Sequence, residues 1–508
     1  MAAIDQGVTT SNIPAPVKGL NTALPLAQLQ PQFAIELNNF ICRPDAVTSR
    51  AGTTNHVTGF TDPVLTIFSY ISGAVEEMFG ATDDGIFDIT SEGVVGTEVT
   101  PCTSGRGVAC NFATTADQYV YFLNGVDDPQ LYNGSAWVSV TGVSTPAITG
   151  VTTDTLNHAV LYRNRLFFLQ NGYLGFWYLA PDSVGGAVAQ YSLGSLFSRG
   201  GYAVCQATWT IDGGNGTDDY YVVVSSEGEV AVFSGSDPST LDGWSLQGVY
   251  YVGQPVGPNS LTKYGGDVLM MCAAGLFPLS KALNSVSIDR RKALSANIEP
   301  TLVAAVRNYG TNEGWSVSVF PGHSLIMVNA PLATTQQFVM QTQSQGWSLF
   351  TGIAATCWHQ FGPGIYCAVG NTVRRAFTGT SDAGTAIDLT LRTAYSRFNS
   401  ISQSQPLDWR PLIRVNQPIT YSIGLAQDYL DNYILQSVET DASMWAVWGV
   451  SLWDEGIWGS TNLLQNFWLT LAGRAGIVNS IKWSASVTNT EVQLISFDAR
   501  LAQQGTIM

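Results

Sequence analysis

The chain has 508 residues, room for two or three domains, with only 12% charged but 11% aromatic side chains, 14 Trp and 51 Gly. A formal net charge of −16 speaks against a basic nucleic-acid grip. A charged fraction about half the usual one suits a subunit that buries much of itself against neighbours, and the glycines and aromatics suit a β-rich chain with many tight turns. The acidity has two readings: it gives solubility alone, or it makes a wall past which DNA slides without sticking.

Residues 1–60 carry few hairpin signals and read as an extended arm turning at Pro25, Pro31 and Pro44. Met1–Gly19 shows no charged stretch followed by an apolar run, so no signal peptide is expected. No run of the chain approaches the length of a membrane-spanning helix, so no span is expected.

From about 61 to 385 a hairpin pattern recurs. An apolar run meets a turn and a second, aromatic-rich run follows. The first copy is Met78-Phe79-Gly80-Ala81, then Asp83-Asp84-Gly85, then Ile86-Phe87. Further copies begin at Tyr119, Leu166, Tyr221, Val268, Leu325 and Ile365, with Asn124-Gly125, Asn171-Gly172 and Glu227-Gly228 among their turns. Such turns between β-favouring runs are strong hairpin signals. The starts lie 40 to 57 residues apart, a spacing that fits four-stranded propeller blades. A lone blade cannot bury both faces, so the repeats must stack around an axis. The expectation is a β-propeller of six or seven blades over 61–385, with a large β-sandwich or a run of unrelated hairpins as the alternative. A helical insertion is expected near 295–310, with Pro300 in its first turn, an apolar face of Leu302, Val303, Val306 and Tyr309, and Gly310 as its stop.

After 385 the pattern changes to longer strands, read at Leu389–Arg397, Leu412–Val415, Ile419–Ile423 and Glu491–Asp498. The fold class is therefore all-β: a propeller plus a β-sandwich platform domain over 386–508, joined by the arm so that the chain ends meet. Trp445, Trp448, Trp453 and Trp458 crowd one stretch of it. They read as a core corner or as an aromatic contact surface for a neighbouring subunit, and are the candidate interface residues.

Catalytic chemistry is not visible. His56, His158, His323 and His359 are far apart and form no His-x-x-x-His pair. There is no G-x-S-x-G elbow and no phosphate-cradling G-x-x-x-x-G-K-[ST] motif. The loop Asp212–Asp219 crowds oxygen ligands as Ca²⁺ requires, but lacks the EF-hand spacing and reads as a plain turn. Ser234-Gly235-Ser236-Asp237-Pro238 before Trp244 reads as a structural turn with a docking Trp. The seven cysteines, with no C-x-x-C, read as reduced buried thiols of a chain made in a cytoplasm. No enzyme activity, cofactor or metal is expected.

The opening Lys18-Gly19-Leu20-Asn21-Thr22, then Pro25-Leu26, Ala34-Ile35-Glu36-Leu37-Asn38-Asn39-Phe40 and Arg50-Ala51-Gly52, resembles the start of the tail nozzle proteins of short-tailed bacteriophages, also called tail tubular protein B. Arg199-Gly200-Gly201, Trp209-Thr210-Ile211-Asp212-Gly213-Gly214 and Gly228–Pro238 are similar to stretches of the same family. The resemblance implies a structural virion protein assembled in the host cytoplasm. It would form a hexameric ring below a tail adaptor protein, with fibres or spikes nearby. Viral double-stranded DNA would pass through the ring without specific binding, and the ring would gate its ejection. Two alternatives stand beside it: a glycan-binding or glycan-cleaving propeller, and another tail or spike-attachment component.

Overall fold

A computed structural model describes residues 8–503, except 74, 213–216, 241, 284–288, 398–402, 432, 434, 441–462, 466 and 471–474. The apolar runs of the repeats form strands that are covered on both faces. Tyr221 and Val223 pack toward Phe167 and Phe176, while Val222 and Val224 point the other way, toward Val268 and Met270. Alternate residues of a strand face opposite sides, so a strand walled in on both sides must be apolar at every position.

Among the described residues seven antiparallel sheets arise in this way. Blade 1 is Thr66–Ser72, Val75–Thr82 and Gly85–Asp88; blade 2 is Val108–Ala113, Gln118–Leu123, Gln130–Tyr132 and Trp137–Ser139. Blade 3 is Leu156–Tyr162, Arg165–Gln170, Gly175–Tyr178 and Ala189–Ser192; blade 4 is Ala203–Asp212, Thr217–Ser225, Glu229–Gly235 and Trp244–Tyr251. Blade 5 is Leu261–Tyr264, Asp267–Cys272 and Gly275–Pro278; blade 6 is Ser316–Phe320, Leu325–Ala330, Gln336–Gln341 and Trp347–Phe350. Blade 7 is Ala355–Phe361, Gly364–Val369 and Thr372–Ala376.

Each first strand touches the first strand of the next blade, and that of blade 7 touches that of blade 1, so the ring closes. A separate hydrophobic cluster fills every seam. Phe68, Phe79, Val120 and Phe122 fill the seam between blades 1 and 2, for example, and Val57, Met78, Tyr366 and Val373 that between blades 7 and 1. Each fully buried large apolar side chain contributes roughly 1.5–3 kcal/mol, and the seams together hold the ring. The molecule is a seven-bladed β-propeller.

Blade 7 takes its outer strand from the N-terminal side. Thr53–Thr58, within the segment expected to be arm, pairs with Thr372–Ala376, with Val57 opposite Val373. Blade 5 has three strands, and the helix Glu299–Tyr309 lies between it and blade 6, burying Leu302, Ala305 and Val306 against both. Val303 and Tyr309 are half-buried. Gly310 ends the helix in a right-handed conformation, φ −65°. Its missing side chain matters for space, because a Cβ there would lie 2.5 Å from the Val306 carbonyl oxygen.

Blade 6 does not end at its fourth strand. Ala34–Asn38 continues it, followed by Ile387–Thr393, Asn479–Val487, Thr420–Gln427 and Gln436–Glu439, giving a nine-stranded sheet that runs from propeller into platform. A second, seven-stranded sheet faces the platform half of the first. Its long strands Ser404–Val415 and Val492–Gln503 pair with each other, and Val8–Pro14 pairs with the latter, Ile13 opposite Phe497. Leu37, Leu389, Ile413, Trp409, Trp483 and Phe497 fill the space between the sheets. The platform is thus a β-sandwich that the two chain ends build together.

Candidate functional site

The seven first strands enclose a funnel of about 950 Å³. Its walls are these strands together with the segments that lead into them, such as 104–107, 254–259 and 310–315. Ser69, Asn111, Ser316, Ser318 and His359 line it from the strands, and Asn157, Asn171, Tyr202, Ser226 and Gln254 line it at the end where the strands begin.

Charge is nearly absent from this surface. Among the described lining residues the charged side chains are Arg106 and Glu313, and they pair with each other, Nε to Oε2, at 2.9 Å. Arg106 precedes the first strand of blade 2 and Glu313 that of blade 6. These blades are not neighbours, so the pair reaches across blades 7 and 1 and bars that side of the mouth. His359 sits deeper, its Nε2 3.0 Å from the Ser69 hydroxyl, and burial pushes its pKa down to about 4, so it is neutral at pH 7.

Polar contacts within and between blades tie the rim. Asn157 Nδ2 donates to Asn171 Oδ1 at 2.6 Å, and Asn171 Nδ2 to the Gly125 carbonyl at 2.8 Å. In the seam of blades 3 and 4, Gln206 Nε2 donates to the Phe167 carbonyl at 2.9 Å and accepts the Tyr221 hydroxyl on Oε1. His158 lies against it, buried, its pKa driven down to about 4 by desolvation.

The second feature is the joint between propeller and platform, built by the arm motif. Gly19 has φ +75°, and a Cβ there would lie 2.4 Å from the Trp347 backbone nitrogen. The Asn21 side-chain oxygen accepts the backbone N–H groups of Ala23 and Leu24. Arg50 is buried and donates to both carboxylate oxygens of Asp382, at 2.9 and 2.5 Å, and through Nε to Asn39 Oδ1 at 2.8 Å. Asn39 Oδ1 also accepts the backbone N–H of Thr351, which follows blade 6. At Gly52 a Cβ would lie 2.0 Å from the Ser381 carbonyl oxygen. The Lys18–Thr22 and Arg50–Gly52 motifs therefore sit where backbone from the arm presses against blade 6 and the end of blade 7.

The candidate residues read from the sequence fare unevenly against this geometry. Trp445, Trp448, Trp453 and Trp458 all lie outside the described residues. So does the tip of the Asp212–Asp219 loop; Asp219 accepts the Thr210 hydroxyl at 2.7 Å. The four histidines are spread over blades 3, 6 and 7, and His323 stacks on Phe377 at 4.8 Å between ring centroids. Among the described residues no three His, Cys, Asp or Glu side chains converge as metal ligands. Trp244 docks in the seam of blades 3 and 4, 5.2 Å from the Phe233 ring, and Asp237 of the preceding turn pairs with Arg165 at 3.2 Å.

Arg106, Glu313 and Tyr202 were not legible as site residues. The one local hint is Gly105-Arg106-Gly107. There a Cβ at Gly105 would lie 2.6 Å from the Thr82 carbonyl carbon, and one at Gly107 2.5 Å from the Phe122 ring.

Fold and site together define a β-propeller continuous with a β-sandwich, pierced by a neutral polar funnel. No protein-family model and no curated protein matches the chain. Among solved structures the chain is similar to BBS1N crystallised with ARL6DN, at 10% identity and a TM-score of 0.37 over 64% of this chain and 97% of that one. YCF48 bound to D1 peptide gives 11% identity and a TM-score of 0.37 over 65% of this chain and 96% of that one. The extracellular domain of the hybrid two-component system BT3049 from B. thetaiotaomicron gives 10% and 0.38 over 74% of this chain and 51% of that one. The propeller assignment rests on the strand pairing itself.

Proposed function

We propose that the chain is the tail nozzle of a short-tailed phage, a non-enzymatic subunit that forms the distal part of the DNA-ejection channel and gates it. The observation that supports the reading is that the arm motifs that resemble that family's have a structural reason. Gly19, Asn39, Arg50 and Gly52 hold the propeller on the platform through close backbone approach and one buried ion pair, while Asn21 shapes the arm's own turn. A subunit that must keep two lobes in fixed orientation within a ring needs such a joint, and the nine-stranded sheet running through both lobes serves the same end.

Ring assembly through apolar and aromatic faces fits the low charge of the chain, and the −16 net charge lets DNA pass without adhering. The test is assembly. Mixed with the adaptor ring of its own phage, the purified chain is expected to add in six copies per ring by mass photometry. A chain that stays monomeric beside that ring overturns the reading. A tail or spike-attachment role shares the composition and differs in location.

A further inference from the structure

We propose that the propeller funnel is a binding site for a neutral saccharide of a few units, a role separate from the nozzle reading. A volume of about 950 Å³ sits at the upper end of ordinary ligand pockets. The lining carries hydroxyl and amide groups, which both donate and accept as sugar hydroxyls do. Its paired charges, Arg106 and Glu313, leave no net field to hold an anion, so a nucleic-acid strand lacks the cations it needs.

An ion pair also offers guanidinium donors beside carboxylate acceptors, an array that adjacent sugar hydroxyls can span. Opposite this bar, Tyr202 is 47% exposed at the mouth. Its backbone is fixed on both sides by Ser226: the Tyr202 N–H donates to the Ser226 hydroxyl at 3.2 Å, and the Ser226 N–H to the Tyr202 carbonyl at 2.8 Å. An aromatic ring about half exposed on an anchored backbone offers a face on which the apolar side of a sugar ring stacks.

The full-length chain is titrated calorimetrically with maltotriose, chitotriose and lactose, alongside a proline-rich peptide and an oligothymidylate. Saturable binding of at least one neutral sugar is expected, weakened roughly tenfold or more by Tyr202→Ala and retained by Tyr202→Phe, through loss and retention of the stacking ring. Arg106→Gln is expected to weaken it as well. Tyr202→Ala should leave the melting temperature unchanged because the side chain is half-exposed, which separates lost binding from lost folding. Three outcomes overturn the proposal: no sugar binds, the sugar binds Tyr202→Ala as well as the parent, or only the peptide or the oligonucleotide binds. None of them touches the ring-assembly test of the nozzle.

Discussion

Removing the Asp382 carboxylate should unfasten the platform joint. The Arg50 and Asp382 side chains are 1% and 6% exposed, and once its carboxylate is gone Arg50 is left with neutral partners: Asn39, the Ala51 carbonyl at 3.1 Å, the Thr351 carbonyl at 3.2 Å and the Phe350 ring, its centroid 5.6 Å away. An uncompensated buried guanidinium costs about 3–5 kcal/mol, so Asp382→Ala should lower the stability of the chain by that amount. Replacing both partners with apolar groups is much milder. Asn39 Oδ1 still accepts the Thr351 N–H at 2.9 Å, so Arg50→Met with Asp382→Leu should cost no more than about 1–2 kcal/mol. Urea unfolding followed by tryptophan fluorescence reads both, and the four-member cycle gives the coupling. A single-variant loss below about 1 kcal/mol, or a double variant as damaged as the single, would refute the reasoning, since either means that the pair is not desolvated.

Acid should loosen the blade seams. His158 titrates near 4 when folded because burial disfavours its cation, and near 6.5 when unfolded. The unfolded chain therefore takes the proton first, and about 3 kcal/mol of stability is lost between those pH values at roughly 1.4 kcal/mol per unit. His158→Gln should remove its share of the slope in that window and leave that of His359, whose pKa burial also pushes down to about 4, read by melting temperature from pH 7 to pH 4. For Glu229, burial raises the carboxyl, but the Arg199 and Ser198 N–H groups and the Ser198 hydroxyl outweigh it and hold it below its ordinary value. Its contribution is present above the unfolded pKa and is lost as pH falls through the folded one, so Glu229→Gln should remove a further acid-sensitive step at lower pH. Gly19→Ala should cost about 2 kcal/mol or more in urea unfolding, from its left-handed conformation and the Trp347 backbone beside it. The six buried thiols should not react with Ellman's reagent in the folded chain, because burial pushes groups such as Cys42 and Cys110 up to about 12; half-buried Cys357, on the funnel wall, is the one that can react before unfolding, and all seven should react in urea.

The propeller was legible because its second strands are walled in on both faces. The seven runs beginning at Met78, Tyr119, Leu166, Tyr221, Val268, Leu325 and Ile365 all fall in the second strand of a blade. First and outer strands were harder to see, since one edge or face meets solvent and their apolar content drops, as in Trp244–Tyr251. The platform strands were found with shifted ends. Asn479–Val487 escaped notice although Ile481, Trp483, Ala485 and Val487 alternate inward, because Ser and Lys fill the other positions. The strand Thr53–Thr58 gave no sign of its partner, since pairing across more than 300 residues leaves no local trace. The same holds for the funnel: Arg106 and Glu313 meet only because the ring closes.

The most direct test of the nozzle is to label virions from the source lysate with an antibody raised against this chain and image them by electron microscopy. Label at the distal tip of a short tail is the expected result. Label confined to fibres or spikes, or virions without label, would contradict it.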